Sequence, residues 1–111
     1  MMGWVRVCAA SEVPTGWMRA FHIEGLAIPV LVADLGGGRY AASSGMCPHE
    51  DVELEGGILF AGRVTCPGHG YEFDLATGRC GHDASLQLRR FPVQVVSGDI
   101  HIRVDLYGVS G

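Results

Sequence analysis

Two short motifs, each combining a cysteine with a histidine, restrict how this chain can fold. The first is Cys47-Pro48-His49 and the second is Cys66-Pro67-Gly68-His69, with 16 residues between His49 and Cys66. Proline fixes φ and removes a backbone donor, whereas glycine lets the main chain approach another group closely. Such residues are typical of loops whose side chains converge on one shared group. The fold therefore has to bring the two loops together.

The size and charge of the chain predict a single domain spanning residues 1–111. Its 111 residues are 48% hydrophobic, which is enough for one core. The net charge of −4, without a basic stripe, argues against nucleic acid as a partner. No apolar run approaches the roughly 20 residues that span a bilayer, and the first residues lack the pattern of a signal peptide. We therefore expect a cytoplasmic protein that does not bind membranes.

Short apolar runs separated by glycine-rich turns predict an all-β fold. Two-residue hairpin turns are expected at Glu24-Gly25 and Ser97-Gly98. No segment has a helical period over three turns, and at most residues 53–57 form one turn. The cysteine–histidine motifs lie in an insert, about residues 44–84, between the outer strands. The predicted strands are 4–10, 17–23, 26–34, 40–43, 88–96 and 99–106.

Thiolates and imidazoles together form a donor set for a transition metal. Thiolates are soft ligands, and neutral imidazole suits iron, zinc or copper. Two of each could hold one zinc ion, or a two-iron cluster with the cysteines on one iron and the histidines on the other. Zinc fingers usually open with two cysteines in one short loop, whereas here each loop supplies one thiolate and one imidazole. This arrangement favours the cluster.

The fragments "CPH" and "CPGH", with "GYEFDLATG" following the second, resemble the motifs of Rieske [2Fe–2S] proteins. More narrowly, the chain is similar to the small Rieske ferredoxins of bacterial multicomponent oxygenases, over about residues 4–106. The resemblance implies antiparallel β-sheets in a sandwich or incomplete barrel, with a cluster-binding subdomain inserted at about residues 44–84. It also implies one [2Fe–2S] cluster per chain, with Cys47 and Cys66 on one iron and His49 and His69 on the outer iron.

The same resemblance implies an electron carrier rather than an enzyme. Imidazoles in place of two thiolates remove two negative charges, so the site accepts an electron more readily, and it has no open position for a substrate. The implied partners are an NAD(P)H-dependent flavoprotein reductase and a terminal oxygenase, either a di-iron monooxygenase or a Rieske non-haem iron dioxygenase. They would dock transiently on a monomer at the face carrying His49 and His69. The alternatives are a small Rieske-type subunit of a nitrite reductase and a zinc-binding structural module.

Departures from the high-potential members of that family bear on the reduction potential. Those members carry an extra cysteine in each loop, joined as a disulfide, where this chain has Val52 and Gly68. They also donate hydrogen bonds to the cluster from a serine and a tyrosine, where this chain has Tyr71 and Phe73. Fewer donors stabilise the reduced state less, so we predict a potential toward the low end of roughly −150 to +300 mV.

Other residues have less specific interpretations. A third motif, Cys80-Gly81-His82, follows the Cys-x-x-His motif, the reverse of the family order, and is a poor ligand candidate. Cys8 is expected to be a buried, reduced thiol. Four acidic residues form either a solvated loop or a negative rim that steers basic partners; they are Glu50, Asp51, Glu53 and Glu55. Six aromatic residues are expected in the core: Trp4, Trp17, Phe21, Phe60, Phe73 and Phe91.

Overall fold

The computed structural model describes residues 2–49 and 51–105, which form ten short strands. The only helices in this part of the chain are two single 3₁₀ turns, Ala10–Glu12 and Leu54–Gly56. The second lies within the predicted turn at residues 53–57. The strands are β1 Met2–Ala9, β2 Met18–Phe21, β3 Val30–Gly36, β4 Arg39–Ser44, β5 Ile58–Phe60, β6 Arg63–Thr65, β7 Glu72–Asp74, β8 Arg90–Phe91, β9 Val93–Val96 and β10 Asp99–Asp105.

The strands pair into three antiparallel sheets, which confirms the all-β prediction. Their orders are β1-β10-β9, β2-β3-β4-β8 and β5-β6-β7. The first two sheets contain the outer parts of the chain. The third sheet consists entirely of residues between β4 and β8, so it belongs to the segment that carries the cysteine–histidine motifs.

Strand β3 is buried on both faces and separates two apolar cores. Side chains alternate across a strand, so Val30 and Val32 pack into one core, whereas Leu31 and Ala33 pack into the other. The first core also contains residues of β1 and β10, and the second contains residues of the third sheet together with Cys47 and Cys66. The continuous apolar run of β3 therefore connects the body of the protein to its motif-bearing part.

The predicted hairpin at Glu24-Gly25 is wrong. Phe21 of β2 pairs with Val30 of β3, so residues 22–29 form an eight-residue connection rather than a two-residue turn. Pro29 ends this connection, and its carbonyl accepts a hydrogen bond from the N–H of Gly45 at 2.8 Å. Proline has no N–H for a ladder, so the strand predicted from residue 26 begins only at Val30.

The predicted strand 88–96 is divided at Pro92. Strand β8 pairs with β4, whereas β9 pairs with β10 in a different sheet. Pro92 lies between them and accepts a hydrogen bond from the N–H of Arg103. By contrast, the turn at Ser97-Gly98 is confirmed, because Val96 pairs with Asp99. Leu106, the last residue of the predicted strand 99–106, lies outside the described residues.

The prediction that all six aromatic side chains belong to the core is wrong for Trp4, Trp17 and Phe60. Phe73 is fully buried and Phe91 nearly so, but Trp17 is 67% and Phe60 78% exposed. Trp4 is also exposed. On the short strand β5, only Leu59 packs against the second core, so its neighbours on either side point to solvent.

Candidate metal centre

The two motifs place their sulfur side inward and their imidazole side outward. Cys47 and Cys66 are only 4% and 2% exposed and lie within the second apolar core. His49 and His69, two and three residues further along, are exposed. Each loop therefore presents one buried thiol and one histidine at the surface.

Both motif loops are closed by the same hydrogen bond. The N–H of Cys47 donates to the carbonyl of Val52 at 2.9 Å, and the N–H of Cys66 donates to the carbonyl of Tyr71 at 2.8 Å. In each case the acceptor lies five residues after the cysteine. The loops thus have equivalent closures although their sequences differ in length between cysteine and histidine.

Neighbouring contacts hold each loop in place. At the first, Met46 and Glu53 form an isolated β-bridge, and Leu54 donates to the carbonyl of Gly45. At the second, the N–H of Gly70 donates to the carbonyl of Cys66 at 3.1 Å, with Gly70 at a φ of +75°. Glycine populates this left-handed region without a steric penalty, which explains why it follows the second histidine.

The closed loops face one another. The rings of His49 and His69 have centroids 5.3 Å apart and lie nearly perpendicular, at 80°. The N–H of Gly68 also donates to Sγ of Cys66 at 3.4 Å, so a main-chain donor reaches the sulfur at this position. Two buried sulfurs and two adjacent imidazoles form the donor set that a mixed-ligand two-iron cluster requires.

Two further aromatic residues adjoin this site. The ring of Tyr71 stacks on His49, with centroids 4.1 Å apart and planes 20° apart. His82 stacks on Tyr71 at 5.4 Å and 22°. No spacing in the sequence encodes the stacking of His82, because it depends on how residues 80–82 fold back along β7.

The cysteine of the third motif lies in the same apolar core as Cys47 and Cys66. Cys80 is buried in the second core, and its Sγ accepts a hydrogen bond from the N–H of His82 at 3.4 Å. Cys8 lies in the other core, where burial raises its pKa to about 11. Over the described residues, which include all four cysteines, no disulfide forms.

Charged groups near His49 are negative and exposed. Asp51 and Glu53 point to solvent, whereas Glu50 lies outside the described residues. Hydrogen bonds from the hydroxyl and the N–H of Ser85 lower the pKa of Asp83, and its proximity to His49 acts in the same direction. Glu55 is engaged elsewhere, because its carboxylate accepts the N–H of Ala20 at 2.7 Å.

The two motifs supply two cysteines and two histidines. Within residues 2–49 and 51–105, no three histidine, cysteine or acidic side chains gather as a site for a single metal ion. A two-iron cluster of this kind needs only two protein ligands for each iron. Comparison with known proteins settles the family, because the model of the Rieske [2Fe-2S] domain matches residues 3–92.

The chain belongs to the Rieske [2Fe–2S] family. This Rieske protein is 32% identical to the ferredoxin CarAc of Metapseudomonas resinovorans over 100 residues, which cover 89% of the chain and 92% of the relative. It is 30% identical, again over 100 residues, to the ferredoxin component of the alkene monooxygenase system of Xanthobacter autotrophicus, covering 89% of the chain and 80% of the relative.

Solved structures of other proteins superpose on this chain. A chain in the complex of reduced oxygenase and oxidized ferredoxin of carbazole 1,9a-dioxygenase superposes with a TM-score of 0.80 at 31% identity, covering 89% of this chain and 91% of that one. A nitrite reductase small subunit from Mycobacterium tuberculosis has a TM-score of 0.83 at 20% identity, covering 95% and 97%, a likeness that shows the fold alone.

These comparisons define the cofactor and the class of activity. The Rieske protein carries a [2Fe–2S] cluster, and the zinc-binding module is not supported. Because its relatives are ferredoxin components, it is an electron-transfer protein rather than a catalytic enzyme. Among the described residues, no helix is both long and apolar enough to cross a membrane.

Proposed function

We propose that this Rieske ferredoxin carries single electrons from an NAD(P)H-dependent flavoprotein reductase to a terminal oxygenase. Cys47 and Cys66 hold the inner iron, and His49 and His69 hold the outer one. The observation that carries the proposal is the pairing of two equivalently closed loops, with both thiols buried and both imidazoles at the surface.

The bound cluster supplies a site that accepts and returns one electron. The chain's own residues control the rest. Burial of the two cysteines keeps the sulfur side away from water. Because the two histidines are exposed, they provide a short path for an electron between the site and a docked partner. Electron transfer therefore takes place through the two histidines.

The docking face is formed by His49 and His69, and the exposed carboxylates of Asp51 and Glu53 follow His49 closely in the sequence. Carboxylates around an electron-transfer site attract basic partner surfaces and accelerate encounter without adding much affinity. The ferredoxin works as a monomer that docks transiently on one partner and then on the other. It functions in the cytoplasm.

Substitutions at Cys47 and Cys66 test the assignment of the cysteine ligands. Serine at Cys47 or Cys66 should abolish cluster incorporation, measured as iron and acid-labile sulfide per chain. Alanine at Cys80 and at His82 are the matched controls, because these residues form the third cysteine–histidine motif. Both controls should keep the cluster. Loss of the cluster in the controls, with retention in the Cys47 and Cys66 variants, would refute the assignment.

The docking face is tested through the salt dependence of electron transfer. Stopped-flow reduction by a flavoprotein reductase should slow as ionic strength rises, because salt screens exposed charges over a Debye length of roughly 8 Å at physiological strength. The double variant Asp51→Asn and Glu53→Gln should show a weaker dependence. A rate that does not change with salt in the unmodified protein would exclude these carboxylates as a steering surface.

A further inference from the structure

The segment with Cys80, Gly81 and His82 is fixed against the motif-bearing sheet by its main chain. Cys80 forms an isolated bridge with Phe73 of β7, and the N–H of Gly81 donates to the carbonyl of Glu72 at 2.9 Å. The N–H of Glu72 donates in turn to Nδ1 of His82 at 3.4 Å. These contacts place the ring of His82 beside β7, although its side chain is exposed.

His82 is the outer member of a stack of three rings. Its plane lies 22° from that of Tyr71, and the plane of Tyr71 lies 20° from that of His49. Both neighbours therefore lie nearly parallel to Tyr71, His49 at 4.1 Å and His82 at 5.4 Å between centroids. The stack begins at one of the two histidines of the docking face.

Contacts with neighbouring rings help to set the orientation of an exposed imidazole. The torsion that turns a histidine ring, χ2, has broad minima, so the side chain alone sets its plane weakly. His49 has an edge contact with His69 and a face contact with Tyr71. The backbone of Tyr71 is itself fixed, because its carbonyl accepts the N–H that closes the Cys66 loop. The ring of Tyr71 thus starts from a fixed point of the main chain, and its own orientation depends on the side chains that stack on it.

We propose that Tyr71 is a positioning residue for His49, and that the Cys80-Gly81-His82 segment supports it by stacking His82 on Tyr71. The role of this segment is to orient one of the two histidines of the docking face, rather than to bind metal. Groups around a metal ligand commonly set its ring plane and tune its properties. The inference rests on the proposed role of His49 as an iron ligand.

Pulsed EPR of the reduced protein tests this positioning role, since the nitrogen hyperfine couplings of each coordinated imidazole depend on the orientation of its ring. His82→Ala should broaden the couplings of one histidine or produce a second set. His82→Phe, which can still stack, should restore a single narrow set. Tyr71→Phe should resemble the unmodified protein, and Tyr71→Leu should show the larger disturbance. His22→Ala, at an exposed histidine outside the stack, is the control and should change nothing.

The deciding variant is His82→Ala, because His82 is not among the proposed ligands. If its nitrogen couplings match those of the unmodified protein while iron and sulfide stay complete, the positioning role is refuted. A Tyr71→Leu variant that fails to hold the cluster does not alter this criterion. If instead the unmodified protein shows no nitrogen couplings from coordinated imidazoles, the proposed function fails, and the two failures are thereby distinguished.

Discussion

Replacing Gly57 by alanine should disrupt the sheet that positions the second motif loop. Gly57 precedes β5, and Ile58 pairs with Thr65 directly before Cys66. A Cβ built on Gly57 would overlap the carbonyl oxygen of Thr65 and lie 3.2 Å from the carbonyl oxygen of Leu54. Gly57 has a φ of −88°, so the conflict is one of space rather than of backbone conformation.

The magnitude of this effect follows from what blocks the added methyl group. Both obstacles are backbone carbonyls, so no side chain can rotate to make room. Either β5 separates from β6, or Thr65 moves and takes Cys66 with it. Overpacking of this kind costs about 1–3 kcal/mol, a large part of the roughly 5–15 kcal/mol that stabilises a typical domain. We also expect incomplete cluster incorporation, because the displaced residue adjoins a proposed ligand.

Gly56→Ala is the matched control for this prediction. An added Cβ there meets only Cγ of Pro67 at 3.9 Å, an ordinary contact, and φ is not in the left-handed region. Urea unfolding of both variants, with iron and sulfide per chain, measures the two effects. Gly57→Ala should be the less stable variant and Gly56→Ala should match the unmodified protein. Equal stability and equal iron content in the two variants would refute the steric argument.

Three further predictions concern the cores and the cluster. Phe73→Ala should cost about 3–5 kcal/mol in urea unfolding because the ring is fully buried, whereas Phe60→Ala, at a 78% exposed ring, should change little; similar losses would contradict the assigned burial. Burial raises the pKa of Cys8 from 9.0 to about 11, so stability present below pH 9 should fall as pH rises toward 11. A Cys8→Ala variant should lack that part of the alkaline slope, and an identical slope would contradict it. Redox titration should give a potential toward the low end of roughly −150 to +300 mV, and a value well above zero would contradict it.

The all-β class could be predicted because apolar runs, glycine turns and the absence of a helical period are local signals. The connections could not be predicted as well. Glu24-Gly25 has the composition of a tight hairpin, but Pro29 delays the start of β3 and lengthens the connection to residues 22–29. The run 88–96 is continuous in composition, yet Pro92 divides it between two sheets. In both cases pairing between distant strands determines the boundary.

The candidate site, like the fold, could be predicted where the signal is local in the sequence but not where it depends on contacts between distant residues. The cysteine–histidine motifs could be found because their spacing is local. The structure places the ring centroids of His49 and His69 5.3 Å apart. Their assignment as ligands stays a prediction. The stack of His49, Tyr71 and His82 could not be predicted from the sequence, because it depends on how residues 80–82 lie along β7. The exposure of Trp17 and Phe60 was likewise not evident from composition.

The EPR spectrum of anaerobically purified, dithionite-reduced protein, recorded with its iron, sulfide and zinc content, would establish the nature of the centre. The ligand set proposed for Cys47, His49, Cys66 and His69 predicts a rhombic signal with a low average g-value and two irons per chain. A colourless, EPR-silent protein that holds one zinc ion would contradict both the mixed ligand set and the electron-transfer function.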